Sequence, residues 1–192
     1  DGLHVVTGGT GGLGLLTARW LAQQCSPSLV LASRSGALAK GTDDIEWKAI
    51  EASGATPNIE QCDSGEIAHV IRLVARASSL CGVWHAAGVL ADAVLPNQSA
   101  PGIARVFAPK AYGVWSLHAA SAATSTRTFA LFSSVAALLG GAGQANYAAA
   151  NTCLDAVATS RRTHGVVGSS VQWGAWAEVG MAARGVASVR MA

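Results

Sequence analysis

Charge is scarce in this chain: of 192 residues, Asp, Glu, Lys and Arg together make 12%, 13 basic against 11 acidic, and they never gather in blocks. With a net charge of +2 and no basic stripe, there is no electrostatic footprint for a nucleic acid or an anionic membrane. Lysine is rarer still, with three in the chain: Lys40, Lys48 and Lys110. Cysteine occurs four times, at Cys25, Cys62, Cys81 and Cys153, always singly and without metal-ligand spacing, so no metal site is expected. Three of these thiols lie in apolar segments as small reduced hydrophobes, which suits an intracellular, cytoplasmic compartment. Thr128 to Leu154 carries no charged side chain, yet Ser133, Ser134, Gln144, Asn146, Tyr147, Asn151 and several glycines break it, so it is not expected to cross a membrane. No basic n-region or apolar h-region opens the chain, so a signal peptide is not expected. The first strand-like run begins directly after Asp1 and the chain stops soon after the sixth, so these residues are expected to be part of something larger.

What is present is apolar: 51% of residues are hydrophobic, enough to bury one substantial core, and residues 1–192 read as a single unit. "LHVVTG", "SLVLASR", "TPNIEQC", "LCGVWHAA", "RTFALFSSVA" and "GSSVQWGAW" read as strands that are mostly apolar throughout, the pattern of a parallel sheet covered on both faces. Between them run helical segments, among them "LGLLTARWLAQQC", "EIAHVIRLVARA", "IARVFAPKAYGVWSLHAASA" and "QANYAAANTCLDAVATSRRT". The alternation predicts an α/β fold with a doubly wound, Rossmann-like parallel sheet. Pro109 falls inside the fourth helical segment and is expected to bend it beside Lys110.

"TGGTGGLG", spanning Thr7, Gly8, Gly9, Thr10, Gly11, Gly12, Leu13 and Gly14, follows the first strand and opens the first helix. Gly8, Gly12 and Gly14 allow a tight turn and close approach of a pyrophosphate to the helix N-terminus. Where a fold that prefers NAD places an acid at the end of the second strand, this chain has Ser33 and Arg34. A guanidinium and a hydroxyl suit a 2′-phosphate, which selects NADPH; the plainer alternative is an ordinary surface arginine. Asp63 is placed either to accept from an adenine amino group or to cap the next helix. "HAAG" ends the fourth strand, and its small residues Ala86, Ala87 and Gly88 leave room for the cofactor, with His85 read as a packed core histidine.

Ser134 ends the fifth strand and Tyr147 lies thirteen residues on, in the following helix, with Asn151 one turn beyond on the same face. A tyrosine acting as an acid needs a nearby cation, and many reductases place a lysine where Asn151 stands. Lys40 and Lys48 follow the second strand, towards the adenosine end, which leaves Lys110 on the helix between strands four and five. An ammonium about 5 Å away at an effective dielectric of about 20 is worth roughly 3 kcal/mol, or about two pKa units. Taken singly, Ser134 also ends a strand, Tyr147 also fills a core and Lys110 also suits solvent; their conjunction with the glycine loop reads as an active site.

"TGGTGGLG", "HAAGVL", "PKAYGVWSLH", "LFSSVAALLGGAGQANYAAAN" and "VQWGAWAEVGMA" together resemble the ketoreductase domain of modular type I polyketide synthases, a branch of the short-chain dehydrogenase/reductase superfamily. The resemblance implies that lysine and asparagine have exchanged places relative to stand-alone reductases, and assigns Lys110, Ser134, Tyr147 and Asn151 as a catalytic tetrad. It also implies NADPH-dependent reduction of a β-keto group on an acyl chain held by an acyl carrier protein. A structural half before this catalytic half, and a last strand after a substrate lid, are expected to lie outside the chain. Leu90, Asp92, Leu139 and Gln144 become substrate and stereocontrol positions. "LAD" keeps Asp92 of a Leu-Asp-Asp segment, and Leu139 stands where producers of the L alcohol tend to carry tryptophan, so a D-configured product is expected. Ala149, in place of a proline, points to substrates used without epimerisation. The resemblance leaves two other readings: the ketoreductase of an animal-type fatty acid synthase, and a non-catalytic NADP-binding scaffold module.

Overall fold

A computed structural model describes residues 2–25, 28–39, 44–77 and 79–176. Six parallel strands form one sheet in the order β3-β2-β1-β4-β5-β6, with β1 Leu3–Thr7, β2 Ser28–Ser33, β3 Asn58–Gln61, β4 Leu80–His85, β5 Thr128–Ser134 and β6 Ser169–Trp173. After β3 the chain crosses to the other side of β1, so the strand order reverses between β1 and β4, where doubly wound sheets open a crevice for ligands. The central strands are buried on both faces: Val5 and Val6 of β1 are each fully enclosed, one against each helical layer.

The helices α1 Gly12–Cys25 and α2 Asp44–Ala52 cover β1 and β2 around Leu15, Ala18, Leu31 and Ile50. On the opposite face, α3 Ile67–Ala75, α5 Gly113–Ala120 and α7 Ala145–Thr163 enclose Val70, Leu117, Phe129, Leu131 and Leu154. The helix α4 Ala100–Phe107 starts at Ser99, whose hydroxyl accepts from the Gly102 amide at 3.2 Å. A short helix, α6 Ala136–Leu139, precedes α7.

The expected bend at Pro109 takes a specific form. Between α4 and α5 the backbone widens into a π turn, Ala108–Tyr112, rather than breaking. A π turn holds one residue more than an α turn, so it absorbs the missing proline donor while keeping the two helices continuous. The uncharged run Thr128 to Leu154 becomes β5, α6 and the first half of α7, and no helix among the described residues is long and apolar enough to cross a membrane.

Polar staples hold the far edge of the sheet. Asp155 on α7 accepts from Ser170 Oγ at 2.6 Å and Gln172 Nε2 at 2.9 Å, tying β6 down on one side. Because side chains alternate along a strand, Val171 and Trp173 face the other way. There, among the described residues, no helix covers β4, β5 and β6, and Trp84, Phe132, Trp173 and Trp176 remain partly exposed beside the half-open Trp20.

Candidate active site

A cavity of about 330 Å³ lies at the carboxyl ends of β1 to β4, lined by Thr7, Gly8, Thr10, Gly11, Ser33, Arg34, Asp63, Ala87 and Gly88 among others. The remaining residues of the glycine motif shape the turn behind it. Gly8 has φ +69°, and a Cβ there would lie 2.9 Å from the Ala87 backbone, so only glycine lets β1 and the "HAAG" turn approach so closely. At Gly14 a Cβ would strike the Gly8 carbonyl, which makes it the residue that lets α1 sit against the loop. Gly12, also at positive φ, begins α1, while Gly9 and Leu13 complete the turn. Ala86 acts through its backbone, donating its amide to the Thr7 carbonyl at 3.1 Å.

At the adenosine end the cation is available. Arg34 is exposed and has no ion pair among the described residues, and its carbonyl accepts from Gln61 Nε2 at 3.1 Å. Ser33 and Ser35 hydroxyls stand 3.4 Å apart beside it, and Ser35 went unnoticed in the sequence. No carboxylate occupies the end of β2. Backbone amides at a helix N-terminus, two hydroxyls and an unpaired guanidinium fit a dinucleotide that carries an extra phosphate. Asp63 lines the cavity, but it does not cap α3, whose N-cap is Glu66; its Oδ1 accepts from the Gly65 amide at 2.9 Å instead.

The four residues of the expected tetrad come from three elements and converge. Ser134 closes β5, Tyr147 and Asn151 share one face of the first turns of α7, and Lys110 projects from the π turn. Lys110 is 2% exposed; its Nζ donates to the Phe132 carbonyl at 2.9 Å and stands 5.4 Å from the centroid of the Tyr147 ring. Asn151 donates from Nδ2 to the Tyr147 carbonyl at 2.8 Å, and its Oδ1 is buried without a partner.

The electrostatics differ from the simple expectation that the lysine depresses the tyrosine. Burial pushes the Lys110 ammonium down to about 7, partly offset by Asp155. Tyr147 stands above its ordinary value, chiefly because burial penalises a phenolate and also because of the Asp92 charge, while hydrogen bonds from Asn151 and Ser134 pull the other way. For both groups, removal from water is the leading cause of the shift.

The substrate-side positions also meet. Gln144 Nε2 donates to Asp92 Oδ2 at 3.2 Å, and the Ala93 amide donates to the Gly143 carbonyl at 2.8 Å. Asn146, which sequence reasoning passed over, is buried and donates to the Ala91 carbonyl at 2.8 Å. The segment containing Leu90 and Asp92 is thus sewn to the loop before Tyr147, whereas Leu139, 79% exposed at the end of α6, stands open to solvent.

Comparison with known proteins identifies the family. The family model described as the KR domain matches residues 2–178. The chain is 45% identical over 194 residues to polyketide synthase GfsB of Streptomyces halstedii, covering 100% of this chain and 4% of that protein. It is 42% identical to a mycocerosic acid synthase-like polyketide synthase of Mycolicibacterium smegmatis, covering 94% of this chain and 9% of that one. A solved structure of A-type ketoreductases from a modular polyketide synthase superposes with a TM-score of 0.90 at 39% identity, over 99% of this chain and 41% of its own. The chain therefore spans a small part of the synthases it matches. Parallel sheet, glycine turn and the family match lead to one conclusion: this chain belongs to the KR-domain family, the ketoreductase domains of polyketide synthases, built on the short-chain dehydrogenase/reductase fold.

Proposed function

We propose that this domain reduces the β-keto group of a polyketide intermediate carried by an acyl carrier protein to a 3-hydroxyacyl thioester, using NADPH. The observation that carries the reading is the convergence of Lys110, Ser134, Tyr147 and Asn151 beside the glycine-lined cavity. NADPH, when bound, supplies hydride. The Gly8 to Gly14 turn holds its pyrophosphate, and Ser33, Arg34 and Ser35 recognise its 2′-phosphate. Tyr147, kept protonated at neutral pH by its buried setting, gives its hydroxyl proton to the carbonyl oxygen. Ser134 donates a hydrogen bond to the same oxygen as charge grows on it. Lys110 steadies the phenolate that Tyr147 leaves behind, and the free Oδ1 of Asn151 offers an acceptor for the water that reprotonates it. The domain works in the cytoplasm within a larger synthase, together with a structural half.

Asp92, held by Gln144 and near enough for its charge to act on Tyr147, supports entry of the substrate arm from the side that gives a D alcohol. The deciding experiment follows NADPH consumption by the domain restored with its structural half, given a short β-ketoacyl thioester, and resolves the product by chiral chromatography. NADPH-dependent turnover that is lost in Tyr147→Phe, with a D product, is the expected result; no turnover, or turnover independent of Tyr147, would refute the function, and an L product would refute the proposed entry side.

A further inference from the structure

His85 is fully enclosed at the end of β4, and it touches both halves of the site without facing the cavity between them. Its Nδ1 lies 2.7 Å from Thr7 Oγ1, at the mouth of the glycine turn, and its Nε2 lies 3.4 Å from the carbonyl of Lys110. A carbonyl can only accept, so Nε2 must carry the proton; in a neutral ring Nδ1 is then an acceptor, and Thr7 must donate. That fixes the tautomer and commits the Thr7 hydroxyl proton to the interior. Burial pushes the imidazole down to about 3, with the Lys110 charge acting in the same direction, which keeps it neutral across the working range.

The π turn needs such a support. Its widened backbone leaves carbonyls turned towards neighbouring segments: the Pro109 carbonyl accepts from Ser64 Oγ, in the loop between β3 and α3, at 3.3 Å, next to the Lys110 carbonyl held by His85 of β4. Gly113 makes room for the ring, since a Cβ there would lie 3.1 Å from His85 Cε1. We propose that His85 is a positioning residue for Lys110: oriented by Thr7, it holds the π turn so that the lysine ammonium meets the Tyr147 ring and the Phe132 carbonyl. The inference rests on reading Lys110 as part of a reductase site. Groups acting on the Lys110 charge are Asp155 and Tyr147 from α7 and His85 itself from β4.

Three substitutions test this. His85→Gln keeps a donor where Nε2 was; His85→Asn keeps an acceptor where Nδ1 was but loses the donor to Lys110; Thr7→Val is isosteric and removes the orienting proton. Because the chain has three lysines, ¹³Cε-lysine NMR can follow the titration of each. The wild-type Lys110 midpoint near 7 should rise by about one unit or more towards the ordinary lysine value in His85→Asn, move part of that way in Thr7→Val and stay put in His85→Gln. Turnover should fall about 10- to 100-fold in His85→Asn, with KM for the thioester nearly unchanged, as small displacements of a catalytic group cost that much. A Lys110 midpoint unmoved in folded His85→Asn, or in Thr7→Val where the first variant fails to fold, would overturn the proposal. The NMR readout also separates the two claims: a moved midpoint in a protein with no ketoreductase turnover upholds the positioning role and sinks the reaction.

Discussion

A buried lysine that is half neutralised at pH 7 is costly to keep, and the cost gives a measurable signature. Lys110 has a folded value of about 7 against an ordinary 10.5, so between those limits the folded protein binds fewer protons than the unfolded chain. Stability contributed by this group therefore climbs as pH rises from 7 towards 10.5. Lys110→Met should abolish that climb and raise stability at pH 7 by an amount on the order of 1 to 5 kcal/mol, read from urea unfolding at several pH values. Turnover should fall by a factor on the order of 100 or more in the same variant, so stability and activity would move in opposite directions. Equal loss of both would mean that Lys110 is a structural residue. At the other end of the site, Arg34→Ala should weaken NADPH about tenfold or more and leave NADH nearly unchanged, measured by fluorescence titration, because a charge-assisted hydrogen bond is worth about 1.5 to 3 kcal/mol. That Tyr147, Ser134 and Lys110 come together was legible in the sequence, because spacing and the scarcity of lysine narrow the choices. The contact of Asn146 with Ala91, and the link from His85 to Lys110, were not, since each joins segments that only the fold brings together.

At the level of elements, all six strands fall within the six segments read as strands, though β3 is mostly polar, and the helix between β4 and β5 was expected to bend at Pro109. Its resolution as a π turn was not legible, because it depends on Ser64 and His85 from two other elements. Deleting Ala111 would restore an α-helical repeat and rotate whatever precedes or follows by about 100°. Lys110 would then leave the Tyr147 ring or α5 would leave the core, so such a deletion should abolish turnover even where circular dichroism shows helix content retained. The staple from α7 to β6 offers a milder test. Asp155→Asn leaves one acceptor for Ser170 and Gln172 and should cost about 1 to 3 kcal/mol in urea unfolding, with faster hydrogen exchange in β6. It also removes the charge that holds Lys110 up, so the Lys110 midpoint should fall below its wild-type position, the reverse of the shift expected for His85→Asn.

For the molecule as a whole, the two sides of the sheet are unequal. A parallel sheet is ordinarily covered on both faces, and strands that read as mostly apolar throughout led to that expectation. Among the described residues, one face over β4, β5 and β6 instead shows Trp84, Phe132 and Trp173, and β6 ends the sheet with Val171 41% exposed. Such an edge invites pairing between copies, and Val171→Lys should lower concentration-dependent light scattering while changing stability by no more than about 0.5 kcal/mol. The same asymmetry makes the chain its own optical reporter. Four of its six tryptophans, Trp20, Trp84, Trp173 and Trp176, belong to that open side. Their emission should sit towards the red in the isolated chain and move to the blue whenever another polypeptide seals the face, giving a label-free readout of assembly once Trp115, 53% exposed on α5, is replaced by phenylalanine.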